Sequence, residues 1–439
     1  MTIQPKIKNA YENIVNACNS RLQELYPQGI PEFVSNRYKK ELEYIQSSKF
    51  LDDFELLRLF YNEARKSSQP IMLRSTLTSS YVVFLLSQSL LNPLPAHYYC
   101  PNCGHFEIIK TKLFGMDIPD EFCPHCNSSM HADGFNLYAE FAGGLQGRRE
   151  LSFDYNVPAE FYPFAKRILQ ETYPNNVIAP IGISERLPDT KIAVFPAGFI
   201  ILPEGATIED YPEMISYLED GELCVSGDWR EMRLNFHRIL MFHDLNLDKL
   251  LQLQRKTGVY ANEITAKKLC NLNWKDIVNT TMLNTASSHM FQTLKPKNYY
   301  DMVCLEAAGH NTYTNDDYSP HREYPYDTYK AFENPAFQKY PCYTRDDFCD
   351  TLVDLGYPWE KAFEIAECIK FGKQNSTAQK NIDLFASLQL PEGFLEVAKI
   401  YQYLFPRSHC IEYTLTFAKI AYYSKINSRI FSKIIYNSK

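Results

Sequence analysis

Two Cys-Pro-x-Cys turns constrain this chain more than any other feature. Cys100-Pro-Asn-Cys103 is followed, nineteen residues later, by Cys123-Pro-His-Cys126. Each turn offers two thiolates from a single bend and tetrahedral Zn²⁺ takes four, so the spacing predicts one structural zinc on Cys100, Cys103, Cys123 and Cys126. Four unrelated buried thiols would leave the paired spacing unexplained. The other eight cysteines, Cys18, Cys224, Cys270, Cys304, Cys342, Cys349, Cys368 and Cys410, stand singly. They read as reduced thiols outside the metal site, which fits a cytoplasmic protein.

A chain of 439 residues can bury more than one core. It is 45% hydrophobic and 22% charged, a globular rather than a disordered composition. The first residues have no apolar signal core, and the longest apolar run, 81–86, is too short to span a bilayer. A soluble protein with no membrane partner is expected. The net charge of −7 excludes a basic coat over the whole surface. Its distribution is uneven, however. Beyond Glu412 there is no acidic residue, while Lys419, Lys425, Arg429, Lys433 and Lys439 alternate with Tyr422, Tyr423, Phe431 and Tyr436. Such a tail suits either a phosphate-binding surface with aromatic stacking or the solvated face of a C-terminal helix.

Apolar periodicity predicts helices over 5–28, 32–46 and 52–67, the third behind an Asp52-Asp53 start signal. A strand near 70–74 then feeds a helix through the hydroxyl-rich turn Ser75-Thr-Leu-Thr-Ser79-Ser80. Those hydroxyls suit phosphate contact or simple helix capping. Prolines keep 92–99 extended before the first cysteine turn. Strands are expected at 151–154, at 192–202 with a bend at Pro196-Ala-Gly198, and at 234–242. Asp248 is read as the cap of a helix ending near Gly258. Residues 310–342 read as loop. Helices follow from Arg345 on, broken at Gly356, near Pro391 and at Pro406.

Several short blocks, in order, carry a specific resemblance. Asn92-Pro-Leu-Pro-Ala-His97 with Cys100-Pro-Asn-Cys103, Cys123-Pro-His-Cys126 and Asp133-Gly134 resembles the zinc-containing palm of PolC-type replicative DNA polymerases. Phe195-Pro-Ala-Gly198-Phe-Ile-Ile-Leu-Pro203 is similar to that family's His-Pro-Gly-Gly segment. Pro296-Lys297, Ala308-Gly309-His310-Asn-Thr312, Arg345-Asp346-Asp347, Gly372-Lys373 and Phe405-Pro406-Arg407-Ser-His409 with Tyr413 resemble its fingers. The likeness runs from about residue 31 to 435.

What the resemblance implies is an α+β fold: a polymerase-like mixed-sheet palm with a four-cysteine zinc-knuckle insertion and a mainly helical fingers domain. The expected division is 1–95 as helices and first palm segment, 96–135 as knuckle, 136–260 as second palm segment and 261–439 as fingers. The family holds two Mg²⁺ on an Asp-x-Asp strand and a third aspartate on a neighbouring strand, because two metals about 3.5–4 Å apart need converging carboxylates. Here the Asp-x-Asp positions are read as Arg148 and Glu150. The third falls on Leu240 in an ungapped register, or on Asp244 if two compensating gaps are allowed.

On this reading Mg²⁺ is a doubtful cofactor and polymerase chemistry is lost. The residues implied to contact nucleotide or DNA are Arg74, Ser79, Ser80, Lys373, Arg407, His409, Lys425 and Arg429. Modules that precede the palm and follow the fingers in the family find no counterpart. The favoured expectation is a degenerate polymerase homologue that binds single-stranded or primed DNA or replisome proteins, its divergence and truncation suggesting a mobile-element or phage origin. One alternative is a nucleotidyltransferase working through Glu150, Asp154 and Asp244. Another is a module that binds protein only.

Overall fold

The computed structural model describes residues 6–142, 151–186, 192–227, 236–280, 285–311 and 332–436. It divides into two compact units, one of residues 1–89 and 142–263, the other of 90–141 and 264–439.

The first unit begins with α1 (Ala10–Leu25), α2 (Glu32–Ser47) and α3 (Leu51–Lys66). In α1 the buried residues Ala10, Ile14, Cys18 and Leu22 recur every fourth position and form one stripe. The α3 start falls one residue earlier than expected, with Phe50 at the cap and Asp52 and Asp53 in the first turn, where the helix dipole favours them. A two-residue strand β1 (Met72–Leu73) leads through a 3₁₀ turn into α4 (Tyr81–Ser87).

The second unit contributes β2 (His97–Tyr99), β3 (Phe106–Ile108), β4 (Glu121–Phe122) and β5 (Ser129–Asp133), paired in the order β3-β2-β5-β4. Back in the first unit come β6 (Asp154–Val157), α5 (Tyr162–Thr172), β7 (Ile178–Arg186), β8 (Ile192–Ile201), β9 (Ile215–Tyr217), β10 (Leu223–Val225), β11 (His237–His243) and α6 (Leu245–Thr257). The sheet they build with β1 has the order β1-β6-β11-β8-β7-β10-β9. It is mixed: β11 runs parallel to β6 and β10 to β7, while the remaining pairs are antiparallel.

Alternation along the strands gives this sheet two different faces. On one, Tyr155 meets Phe60 edge-on at 5.5 Å, and Phe60 also meets Phe161. The other carries an apolar cluster of Ala179, Ile181, Ala197, Ile200, Val225 and Leu240, closed by Ile208, Met214 and Phe236. The bend expected at Pro196-Ala-Gly198 is a bulge: Ile181 pairs with Gly198 and Gly182 with Pro196, leaving Ala197 over. Gly198 has φ 130°, and a Cβ there would lie 2.0 Å from the carbonyl oxygen of Ile239. Only glycine lets β8 approach β11 so closely.

The rest of the second unit is helical, with α7 (Tyr299–Asn311), α8 (Arg345–Asp354), α9 (Trp359–Cys368), α10 (Gln379–Ser387), α11 (Phe394–Ala398), α12 (Arg407–Ile426) and α13 (Ser428–Tyr436) as its main elements. The expected breaks at Gly356, Pro391 and Pro406 separate these helices, and a short helix, Pro335–Lys339, lies within the stretch read as loop. The segment 90–141 packs into this unit through specific contacts. Asp117 accepts hydrogen bonds from the backbone N–H groups of Tyr299 and Tyr300 at 2.7 and 3.0 Å, capping α7 from outside. Phe114 packs against Phe135 at a tilt and edge-on to Tyr300, and Tyr138 packs at a tilt against Trp359. Among the described residues, no helix is long and apolar enough to cross a membrane.

Candidate functional site

The palm positions are read from the pairing of β6 with β11. Leu240 is the register partner of Asp154, Met241 of Tyr155 and Phe242 of Asn156. Asp154 and Leu240 therefore share one face. Ser152, two residues before Asp154, donates from its hydroxyl to the Asp154 carboxylate at 2.5 Å. Arg148 and Glu150 lie outside the described residues. The strand register brings Asp154 alongside Leu240.

Leu240 is 6% exposed and belongs to the apolar cluster. Its packing partners are Ala197, Ile200 and their neighbours. Asp244 follows the last residue of β11, four positions past Leu240. Its two carboxylate oxygens are also engaged, one accepting from the backbone N–H of Asn246 and the other from the Asn156 amide, both at 2.8 Å. Asp244 is the N-cap of α6, the role expected of Asp248. Asp248 instead accepts from the Ala159 N–H and pairs with His243. Asp244 is thus engaged in capping α6 and with Asn156, and Glu150, the third residue of the nucleotidyltransferase alternative, lies outside the described residues.

The phosphate-turn residues also have internal partners. Ser80 caps α4 by accepting from the Val83 N–H, and its hydroxyl donates to Glu41 at 2.6 Å. Glu41 accepts from the Val82 N–H too, at 3.1 Å, and is ion-paired with Arg37. Arg37 in turn donates to the Ser79 carbonyl. A carboxylate from α2 therefore occupies the start of α4, where the turn was expected to meet phosphate, and Ser79 and Ser80 are buried. Half-buried Arg74 donates its N–H to the Asp154 carbonyl at 2.9 Å, with its guanidinium over the Phe242 ring.

In the helical unit the expected DNA contacts divide. Arg407 is 3% exposed; its guanidinium donates to Asp347 at 2.7 Å, to Asp350 at 2.6 Å and to the Asn136 carbonyl at 3.0 Å. Its own N–H donates to Asp346 at 2.8 Å. Burial works against its charge, but the carboxylates of Asp350, Asp347 and Asp346 more than offset that. Asp346, fully buried beside them, is pushed up to about 6 by burial, with Arg407 opposing the shift. Arg407 is therefore an internal clamp between α8 and α12, not a surface ligand for phosphate. His409 is buried as well, stacked on Phe405 at 4.7 Å. Lys425 is exposed but paired with Asp276 at 2.7 Å. Lys373, Arg429 and Lys433 are exposed.

The four cysteines come together as their spacing predicts. Their sulfurs all lie within 4.8 Å of one another, with Cys100–Cys126 at 3.4 Å and Cys103–Cys123 at 3.5 Å. Four sulfurs at 2.3 Å from one zinc would stand about 3.8 Å apart, so the donor set fits a tetrahedral ion. The two turns are built alike. The Gly104 N–H donates to the Cys100 carbonyl and the Asn127 N–H to that of Cys123, each donor residue having a left-handed φ, 77° and 58°.

No protein-family model matches the chain. It is similar to the DNA polymerase III PolC-type of Caldanaerobacter subterraneus subsp. tengcongensis, 22% identical over 482 residues that cover 96% of this chain and 34% of the relative. The DNA polymerase III PolC-type of Mycoplasmopsis pulmonis is 23% identical over 484 residues, covering 95% and 32%, and that of Thermotoga maritima 22% over 478 residues, covering 95% and 34%. The chain spans about a third of the length of these relatives. Over that third it is similar to PolC-type polymerases.

Proposed function

We propose that this PolC-like polymerase portion has lost the two-metal centre of its palm and acts by binding DNA in the cytoplasm, not by extending it. The observation that carries this reading is Leu240, buried in an apolar cluster beside Asp154. Phosphoryl transfer by two metals needs several oxygens converging within a few ångströms. Of the register partners Asp154 and Leu240, only Asp154 carries a carboxylate, and an isobutyl group cannot neutralise a second divalent ion. Engagement of Asp244 in capping supports the same reading.

Four thiolates of Cys100, Cys103, Cys123 and Cys126 would hold a structural Zn²⁺, which supplies cross-linking to the knuckle and no reaction chemistry. DNA binding would rest on exposed cations, chiefly Lys373, Arg429 and Lys433. The names of the relatives favour DNA as the partner. Replisome proteins are a second class of partner that the same ancestry would bring.

Primer extension with Mg²⁺ or Mn²⁺ on primed DNA, run beside a binding titration on the same substrate, tests the proposal. Binding without incorporation is the expected result. Templated incorporation that disappears in Asp154→Ala would overturn it.

A further inference from the structure

Two stretches of the helical unit, one just after α9 and one just before α12, are locked side by side by their backbones. The Leu404 N–H donates to the Lys370 carbonyl at 2.8 Å, and the Lys373 N–H to the Tyr401 carbonyl at 2.9 Å. Gly372 makes the approach possible: its φ is 48°, and a Cβ there would lie 1.9 Å from the Tyr401 carbonyl oxygen. The lock sets Phe371 edge-on to Tyr403, ring centroids 5.6 Å apart, and Tyr403 edge-on to Phe405 at 4.8 Å. The Lys370 ammonium lies 5.5 Å from the Phe371 centroid and 5.6 Å from that of Tyr403, and the Arg345 guanidinium lies 5.8 Å from the Tyr403 centroid. Tyr403 is half-buried, while Phe371 is 45% exposed. An aromatic ring on a fixed backbone, with a cation beside it, thus meets solvent.

Resting on the DNA-binding reading above, we propose that Phe371 is a stacking platform for an unpaired base of a single strand, with Lys370 and Lys373 meeting the flanking phosphates. Every base has a π-face, so an exposed ring beside cations holds single strands without reading their sequence. A base inside a duplex keeps its faces covered by its neighbours and cannot use the ring. The local charge agrees with a phosphate partner. Glu367, three residues before Lys370, is paired with Arg345 at 2.6 Å, and Glu396 with Lys399 at 2.6 Å. Lys373 is exposed on the short helix Gly372–Ser376. A protein partner is disfavoured, because protein interfaces close over a contiguous apolar patch with few charges at its centre. The neighbours of Phe371 in the two stretches include Lys370, Lys373, Gln374 and Gln402, all polar. Two backbone hydrogen bonds already fix the ring's support, so stacking has little chain left to order.

The test uses the full chain and two labelled single-stranded oligodeoxynucleotides of equal length and charge, one carrying ordinary bases and the other abasic sites, followed by fluorescence anisotropy at fixed salt. The wild type should bind the ordinary strand about tenfold tighter, the effect of one base–aromatic stack. In Phe371→Ala most of that preference should disappear, and in Phe371→Trp it should persist. Phe371 is exposed, so neither change should unfold the chain, and circular dichroism checks this. Equal binding of the two strands by the wild type, or a preference undiminished in Phe371→Ala, would overturn the stacking platform while DNA binding stood as a purely electrostatic contact. No binding of either strand would overturn both the platform and the DNA-binding reading. Self-association seen by sedimentation and lost in Phe371→Ala would also overturn the platform, by assigning the ring to a protein contact.

Discussion

Leu240 and Asp154 are register partners in the parallel pairing of β11 with β6, so a buried leucine and a carboxylate stand side by side on one face of the sheet. If the leucine is there for packing, Leu240→Asp should not create a metal site. It should bury an unpaired carboxylate among Ala197, Ile200 and Phe236 and destabilise the protein by about 3 kcal/mol or more. Urea unfolding of the variant with and without Mg²⁺ measures this. Recovery of full stability by millimolar Mg²⁺ would contradict the packing role.

The Arg407 clamp makes an opposite prediction to a phosphate-binding role. Arg407→Ala leaves Asp347 and Asp350 without their cation, and breaking a buried pair in this way costs about 3–5 kcal/mol. The loss should appear in denaturant unfolding. The salt dependence of DNA binding should stay as it was.

Exposed Arg429 and Lys433 are the better candidates for phosphate contact. Changing both to Ala should reduce the slope of log affinity against log salt by about 1.4 on single-stranded DNA, at roughly 0.7 per contact. Stability should change little, because both side chains are exposed. A titration from low to moderate salt, wild type against the double variant, reads the difference directly.

Zinc should be required by the knuckle and not by the mixed sheet. One equivalent of Zn²⁺ is expected in the purified protein, and Cys103→Ser should lose it, since structural zinc contributes on the order of 10 kcal/mol in small fingers. Hydrogen exchange should then rise at 97–133 and remain slow at Tyr155 and Met241. Less than half an equivalent of zinc in fresh protein would count against the site.

Asp117 gives a pH prediction with a definite sign. Burial pushes its carboxyl up to about 6, although the N–H groups of Tyr299 and Tyr300 hold it down in part. Between about 4 and 6 the folded state therefore binds more protons than the unfolded chain, and this group's contribution to stability falls as pH rises through that window. Asp117→Asn keeps an acceptor for α7 and cannot ionise. Its Tm should decline less than that of the wild type between pH 4 and pH 6.5; parallel curves would remove Asp117 as the cause.

Local features were the most legible in the sequence. The α1 stripe, the cysteine spacing, the Gly198 bend and the breaks at Gly356 and Pro406 each depend on neighbours a few residues away, and each is found in the structure. What misled were charges whose partners are distant in the chain. Arg407 stands in a stretch that turns wholly basic after Glu412, yet its carboxylates come from α8, and Ser80 is sealed by Glu41 from α2. Hydroxyls and guanidinium groups look alike in a sequence whether they await a phosphate or already hold a carboxylate.

Gly198 lets β8 run almost in contact with the carbonyl of Ile239, opposite Leu240. A strand fitted that closely cannot slide, because any neighbouring residue brought into the Gly198 position would carry a Cβ into that carbonyl. Inherited changes can thus alter which side chains hang from this sheet while the lattice of positions stays where it was. Descent can change the chemistry of such a surface one residue at a time and leave its coordinates behind.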